Sequence, residues 1–182
     1  MSNQATFGVA DLPNGIRLRM TRSADAVLER NLHDSSRNDL QLIDGDREFI
    51  RSVMDFQYQA KNVGHGDSYP DAHYYMIEKA GDVVGRLVID FGHNEVRVVD
   101  ITVLPAWHGQ GIGQTVIQAM QKVAGSLRLP VVLTALLNNQ PALSLYRKLG
   151  FRLDPDNRPG DIRLLLRWEP DAESMPTRLV MP

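Results

Sequence analysis

The sequence predicts an α/β fold of the mixed, α+β kind, with helices packed on a mixed sheet. Three observations carry that expectation. Apolar residues recur in an order that reads strand, two helices, three strands, then helix, strand, helix, strand. The three consecutive strand-like runs between residues 73 and 104 are joined by short turn signals, as in a meander. The chain has 182 residues, 43% of them hydrophobic and 23% charged, ordinary proportions for one globular domain. At that length about 70% of the unfolded chain's surface can be buried, enough for a core without covalent staples.

Residues 1–15 carry Asn, Gly, Pro and Asp and are expected to form a loose lead, followed by one domain over 16–169 and a tail over 170–182. Ile16 to Thr21 alternates apolar with polar residues, a half-buried strand. Ser23 or Asp25 can cap a helix bearing Ala26, Val27, Leu28 and Leu32. Residues 44–60 place Phe49, Ile50, Val53, Met54 and Phe56 at helical spacing, a second helix. Residues 61–71 read as a loop. Then the period drops to two, with strands over 73–79 and 83–90 turning at Gly81-Asp82, and a third over 95–104 closed by Pro105. Residues 112–124 put Ile112, Val116, Ile117, Met120, Val123 and Ala124 on one helical face, with Gly125 as the expected stop. The apolar run 131–137 predicts a strand buried on both faces. Asn139 can cap a helix with Ala142, Leu145, Tyr146 and Leu149 on one stripe, stopped at Gly150, and residues 162–168 form a last strand.

Composition removes several functions. There is no cysteine, which excludes disulfides, a thiolate nucleophile and cysteine-bound zinc and is compatible with a reducing cytoplasm. Twenty basic residues against 22 acidic ones leave a net charge of −2, which argues against a nucleic-acid or polybasic membrane binder. No stretch of about 18 apolar residues occurs, so no membrane-spanning helix is expected. The first twenty residues lack the basic start and apolar centre of a secretory signal.

Two segments carry chemistry. In Val103 to Gly113 (VLPAWHGQGIG) a strand ends, a short loop with glycines at 109, 111 and 113 follows, and a helix begins. N–H groups at a helix start have no intrahelical partner and sit at the positive end of the helix dipole. Glycines let a phosphate come close to the main chain, so the loop reads either as a diphosphate cradle or as a plain tight turn. It is not a Walker loop, since no Gly-Lys-Ser/Thr follows, and three antiparallel-looking strands precede it, unlike a Rossmann unit. In Asn139 to Phe151 (NQPALSLYRKLGF) the phenol of Tyr146 projects from the apolar face of a helix, as either a core residue or a proton donor.

Together the two segments resemble the GNAT superfamily of N-acetyltransferases. His108-Gly109-Gln110-Gly111-Ile112-Gly113 is similar to its Gln/Arg-x-x-Gly-x-Gly/Ala loop, with His where Gln or Arg is usual. Asn139, Ala142, Leu145, Tyr146, Lys148, Gly150 and Phe151 match its Asn-x-x-Ala-x-x-Leu-Tyr-x-Lys-x-Gly-Phe pattern. Ser35-Ser36-Arg37, Phe56-Gln57, Gln59, Tyr69-Pro70-Asp71-Ala72 and Val84-Gly85-Arg86-Leu87 further resemble one bacterial branch of the superfamily that has no defined acceptor.

The resemblance implies a central, mostly antiparallel sheet of six to seven strands, helices on both faces, and a splay between the fourth and fifth strands, 95–104 and 131–137. Acetyl-CoA is the implied co-substrate, lying in that splay, with no metal. Main-chain groups of Ile101, Thr102 and Val103 would pair with the pantetheine arm. His108 would cap the loop, and N–H groups of Gly109, Gln110, Gly111, Ile112, Gly113 and Gln114 would hold the diphosphate. Asn138 or Asn139 would contact the arm from the other side, beside Ala142 and Leu145. Tyr146 would protonate the departing thiolate while an amine attacks the thioester directly.

The base is open. Asp100 interrupts an apolar run and is either a base or a carboxylate satisfied by backbone N–H groups or an arginine, and Glu95 is the alternative, directly or through water. His65, Asp67, Tyr69, Asp71, His73 and Tyr74 either shape a pocket for a cationic amine or form a solvated loop, and their spacing predicts no metal site. Trp107 either covers the glycine loop or stacks on adenine. The expected partners are a small-molecule or peptide amine and a second copy of the chain, with no nucleic acid and no membrane, and the expected location is the cytoplasm.

Overall fold

The computed structural model describes residues 9–36 and 68–171. Its elements are β1 (Val9–Leu12), β2 (Ile16–Met20), α1 (Ala26–Ser36), β3 (His73–Lys79), β4 (Asp82–Phe91), β5 (Val96–Val103), α2 (Ile112–Leu127), β6 (Val131–Leu136), α3 (Gln140–Lys148), β7 (Arg152–Leu153) and β8 (Arg163–Trp168). They make one mixed sheet of eight strands in the order β1-β2-β3-β4-β5-β6-β8-β7, flanked by helices. The predicted helix over 44–60 lies outside the described residues. No helix among the described residues is long and apolar enough to cross a membrane.

The recorded pairings are antiparallel except for β5 with β6. These two are the fourth and fifth strands of the sequence reading, the pair in which a splay is expected. Their ladder holds three pairs, Val96↔Val131 to Val98↔Leu133, and the strands run on to Val103 and Leu136. By its internal contacts the chain divides into two compact units. The first holds the described residues up to Asp90 together with Asp100–Thr115, and the second holds Phe91–Val99 and the chain from Val116.

In the first unit the described part of the expected loose lead, residues 9–15, holds a short strand and a turn, and residues 1–8 lie outside the described residues. Val9–Leu12 pairs with β2 from Val9↔Arg19 to Leu12↔Ile16. The Pro13-Asn14-Gly15 segment that suggests looseness is the turn between them. Asn14 (φ 64°) and Gly15 (φ 69°) are both left-handed, as a tight hairpin requires of its central residues. The core here is Ile16, Leu18, Tyr75, Met76, Ile77, Val84, Leu87, Val88 and Ile89, all buried.

Helix α1 differs from its predicted stripe. Leu32 is buried, whereas Val27 and Leu28 are 70% and 38% exposed. Charge anchors this helix to the sheet. Arg19 and Arg86 flank Met76 in the register of β2, β3 and β4, so their side chains share one face. Arg19 grips Asp25 through two bonds of 2.8 Å and Glu78 through one of 2.6 Å. Arg86 reaches Glu29 at 3.4 Å.

Asp25 also accepts the Arg22 N–H at 2.7 Å, and the Arg19 guanidinium beside it holds its carboxyl at about 2 instead of 3.8. A depressed carboxyl contributes stability above its unfolded value and loses it as pH falls through the folded one. Asp25→Asn should therefore cost about 1–3 kcal/mol at neutral pH. The gap to the parent should close as pH drops from about 4 toward 2. Urea unfolding across that range checks this; a gap that does not narrow would show that the charge is not what anchors α1.

In the second unit, Val131, Val132 and Leu133 of β6 are buried, but Thr134 and Leu136 are exposed, so burial on both faces holds only for the strand's first half. Helix α2 buries Val116, Ile117, Met120 and Ala124. It does not stop at Gly125. It continues to Leu127 and ends at Arg128, the left-handed residue (φ 58°). A side chain at Gly125 would lie 3.9 Å from the Trp168 ring, so this glycine sits in contact range of a tryptophan. Gly150 does end α3: it is left-handed (φ 89°), its N–H bonds to Arg147 O, and the Phe151 N–H bonds to Tyr146 O.

Candidate active site

Within the first unit, β5 ends in Ile101, Thr102 and Val103, all half-buried. Pro105–Trp107 makes one 3-10 turn, in which Trp107 is half-buried. The His108 ring then folds back, with Nε2 2.7 Å from the Val103 carbonyl. A carbonyl can only accept, so the ring proton sits on Nε2. His108 thereby closes the loop onto the strand end.

Gly109 and Gly111 follow with φ of 74° and 76°. A side chain at either would meet nothing within 4 Å. The left-handed backbone at both positions favours glycine. The buried Ile112 side chain anchors the start of α2. Its first hydrogen bond runs from Thr115 N to Gly111 O at 3.0 Å, so the N–H groups of Ile112, Gly113 and Gln114 have no acceptor inside the helix. No acidic residue lies between Leu104 and Thr115. Bare N–H groups, glycines that admit close approach and the positive end of a 16-residue helix fit a diphosphate.

Within the second unit, Asn138 is exposed and Asn139 caps α3, its Oδ1 accepting the Ala142 N–H at 3.3 Å. Its carbonyl oxygen is committed to the helix and its amide NH₂ remains as a donor. Ala142 and Leu145 are half-buried, while Leu143 and Tyr146 are the buried residues of this helix. The predicted stripe omits Leu143, which lies one turn before Tyr146. The Tyr146 ring packs on Phe151 with centroids 5.7 Å apart at 55°.

The two candidate bases are both ion-paired. Asp100 Oδ2 accepts from Arg86 Nη2 at 3.1 Å and from the Thr102 hydroxyl at 3.4 Å. This is the arginine pairing that the sequence offers as the alternative to a base. Glu95 sits 2.8 Å from Arg97 Nε and 4.0 Å from Arg167 Nη1. Either carboxylate would have to give up or share an ion pair to take a proton. Of the loop candidates, His65 and Asp67 lie outside the described residues. Tyr69, His73 and Tyr74 are half-buried and Asp71 is exposed. Among the described residues no cluster of acidic and histidine side chains could hold a metal ion.

The fold and the loop thus define an α/β protein that presents main-chain N–H groups at a helix start. The acetyltransferase (GNAT) family model matches residues 35–151, and the chain belongs to that family. It is 32% identical over 99 residues to a Bacillus subtilis (strain 168) protein described as a ribosomal protein bS18 alanine N-acetyltransferase, covering 52% of this chain and 59% of that one. It is 28% identical over 117 residues to an N-alpha-acetyltransferase of Sulfurisphaera tokodaii, covering 57% and 65%. The chain therefore spans under two thirds of either relative's length. The fold is also that of the PaiA N-acetyltransferase of Thermoplasma acidophilum, solved in complex with coenzyme A: TM-score 0.64 at 16% identity, over 85% of this chain and 98% of that one.

Proposed function

We propose that this chain is an acetyl-CoA-dependent N-acetyltransferase acting on the α-amino group of a peptide or protein. The observation that carries the reading is the loop at 108–114, where left-handed glycines and unpaired N–H groups open a long helix. Those N–H groups hold the diphosphate, and the main chain of Ile101–Val103 pairs with the pantetheine arm. The Asn138 or Asn139 amide, Ala142 and Leu145 also contact the cofactor. Tyr146 gives its proton to the departing thiolate. Asp100 and Glu95 are both ion-paired, so the attacking amine loses its proton through water instead of to a bare carboxylate. The peptide acceptor is supported by the relatives' names, which specify a ribosomal protein's alanine and an N-alpha amine. The reading sets the chain in the cytoplasm, where a protein without cysteine is at no disadvantage, and as a homodimer using β8 and the residues after it.

The test follows free thiol released from acetyl-CoA. The panel holds peptides with free or acetylated N-termini, lysine and small amines. Release is expected with free α-amines and not with blocked ones. Release only with small amines would overturn the peptide acceptor. Stabilisation by acetyl-CoA without amine-dependent release would leave a cofactor-binding module. At a ligand concentration of about 100 Kd, binding alone adds about 2.7 kcal/mol, so an unchanged melting curve would remove the cofactor too.

A further inference from the structure

We propose that Arg86 is a positioning residue for the acetyl-CoA site, setting the end of β5 through Asp100. This rests on the reading above, in which Ile101–Val103 pairs with the pantetheine arm.

Arg86 lies in the apolar run of β4 and is 4% exposed. A buried guanidinium is costly unless its donors are satisfied. Its two terminal nitrogens are used in two directions: Nη1 toward Glu29 of α1 at 3.4 Å, and Nη2 toward Asp100 of β5 at 3.1 Å. The same Asp100 oxygen takes the Thr102 hydroxyl at 3.4 Å. The main chain beside it is also fixed, since Leu104 N bonds to Val84 O at 2.8 Å. Residues 100–104 are thus held to β4 by the main chain at Val84 and by the Arg86 side chain. The side-chain part of that hold includes one planar cation that faces two carboxylates.

A lysine carries the charge but cannot offer two donors in a fixed plane. Asp100 is on this account a link from Arg86 to the strand end and not the base. Arg86 acts on the bound thioester only through that link. Loss of the link should loosen the grip on the pantetheine arm while leaving the loop at 109–114, whose helical end has its own support in the buried Ile112.

The experiment compares the parent with Arg86→Lys and Arg86→Met. Affinities are measured for coenzyme A and for adenosine 3′,5′-bisphosphate, which lacks the pantetheine arm and the phosphate that carries it, with KM and kcat in parallel. Both variants should bind coenzyme A about tenfold more weakly or worse and keep the parent's affinity for the bisphosphate. KM for acetyl-CoA should rise by more than kcat falls. Equal weakening of both ligands would show that Arg86 supports only the fold. Unchanged coenzyme A affinity in a folded Arg86→Lys protein would overturn the proposal outright. If Arg86→Met does not fold, the lysine variant alone decides. A parent that binds neither ligand would defeat the acetyl-CoA reading itself, an outcome distinct from either of these.

Discussion

Gly85→Ala is expected to destabilise the protein by about 3 kcal/mol, the upper end of the usual range for overpacking. Gly85 lies in β4, buried, with no left-handed φ to explain the residue. The reason is contact. An added Cβ would stand 2.4 Å from the Thr102 carbonyl oxygen and 3.1 Å from Ile77 Cδ1. The isoleucine tip can turn aside. The carbonyl belongs to the backbone of β5, so relief means moving the strand, and the Leu104 N to Val84 O bond beside it resists that. Gly81 is the natural control, because it is left-handed at 86° with open space around it. Gly81→Ala should cost about 1–2 kcal/mol through conformation alone. Urea unfolding of both variants separates crowding from backbone strain. A Gly85→Ala protein as stable as the parent would mean that β5 yields easily. The support claimed for Ile101–Val103 would then be wrong as well.

The parts of the fold that were legible are those where period and punctuation agree. The shift to period two at His73, the Gly81-Asp82 turn and the long apolar stripe of α2 each predict an element at nearly its observed bounds. Punctuation misleads where one residue type serves two purposes. Pro13-Asn14-Gly15 signals irregular chain, yet two left-handed residues in succession are also what a hairpin needs, and β1 was hidden behind them. Gly125 signals a helix stop, but it lies against Trp168, and the left-handed role falls to Arg128. The two-residue β7 is too short to leave a pattern. Helix α1 misled because its anchors, Asp25 and Glu29, are charged, while the apolar residues that suggest its buried face include an exposed Val27.

The candidate site divides in the same way. The glycine loop could be read because backbone conformation restricts residue type at 109 and 111. The Arg86–Asp100 pair could not, because a charge inside each of two apolar runs becomes informative only once those strands are known to be neighbours. That clue was nonetheless present: opposite charges interrupt VVGRLVID and VVDITV, and burial without a partner would be prohibitive for either.

Tyr146→Phe is expected to lower turnover by about 10²-fold or more while leaving acetyl-CoA affinity and stability close to the parent's. The substitution removes one oxygen and keeps the ring, so the packing on Phe151 survives. Tyr146 is 7% exposed in the body of α3, and burial of that kind is equally the mark of a core residue. The two roles differ in what the oxygen does. A phenolic O–H is a proton donor and can give its proton to a developing thiolate. Its help is greatest in the transition state, when charge collects on sulfur, so it should appear in kcat more than in KM. The check is single-turnover acetyl transfer at saturating acetyl-CoA, alongside coenzyme A binding and thermal unfolding. If rate, affinity and melting temperature fall together, Tyr146 is a core residue whose hydroxyl serves the fold. If the rate alone is unchanged, the thiolate takes its proton from water and this tyrosine has no part in the transfer.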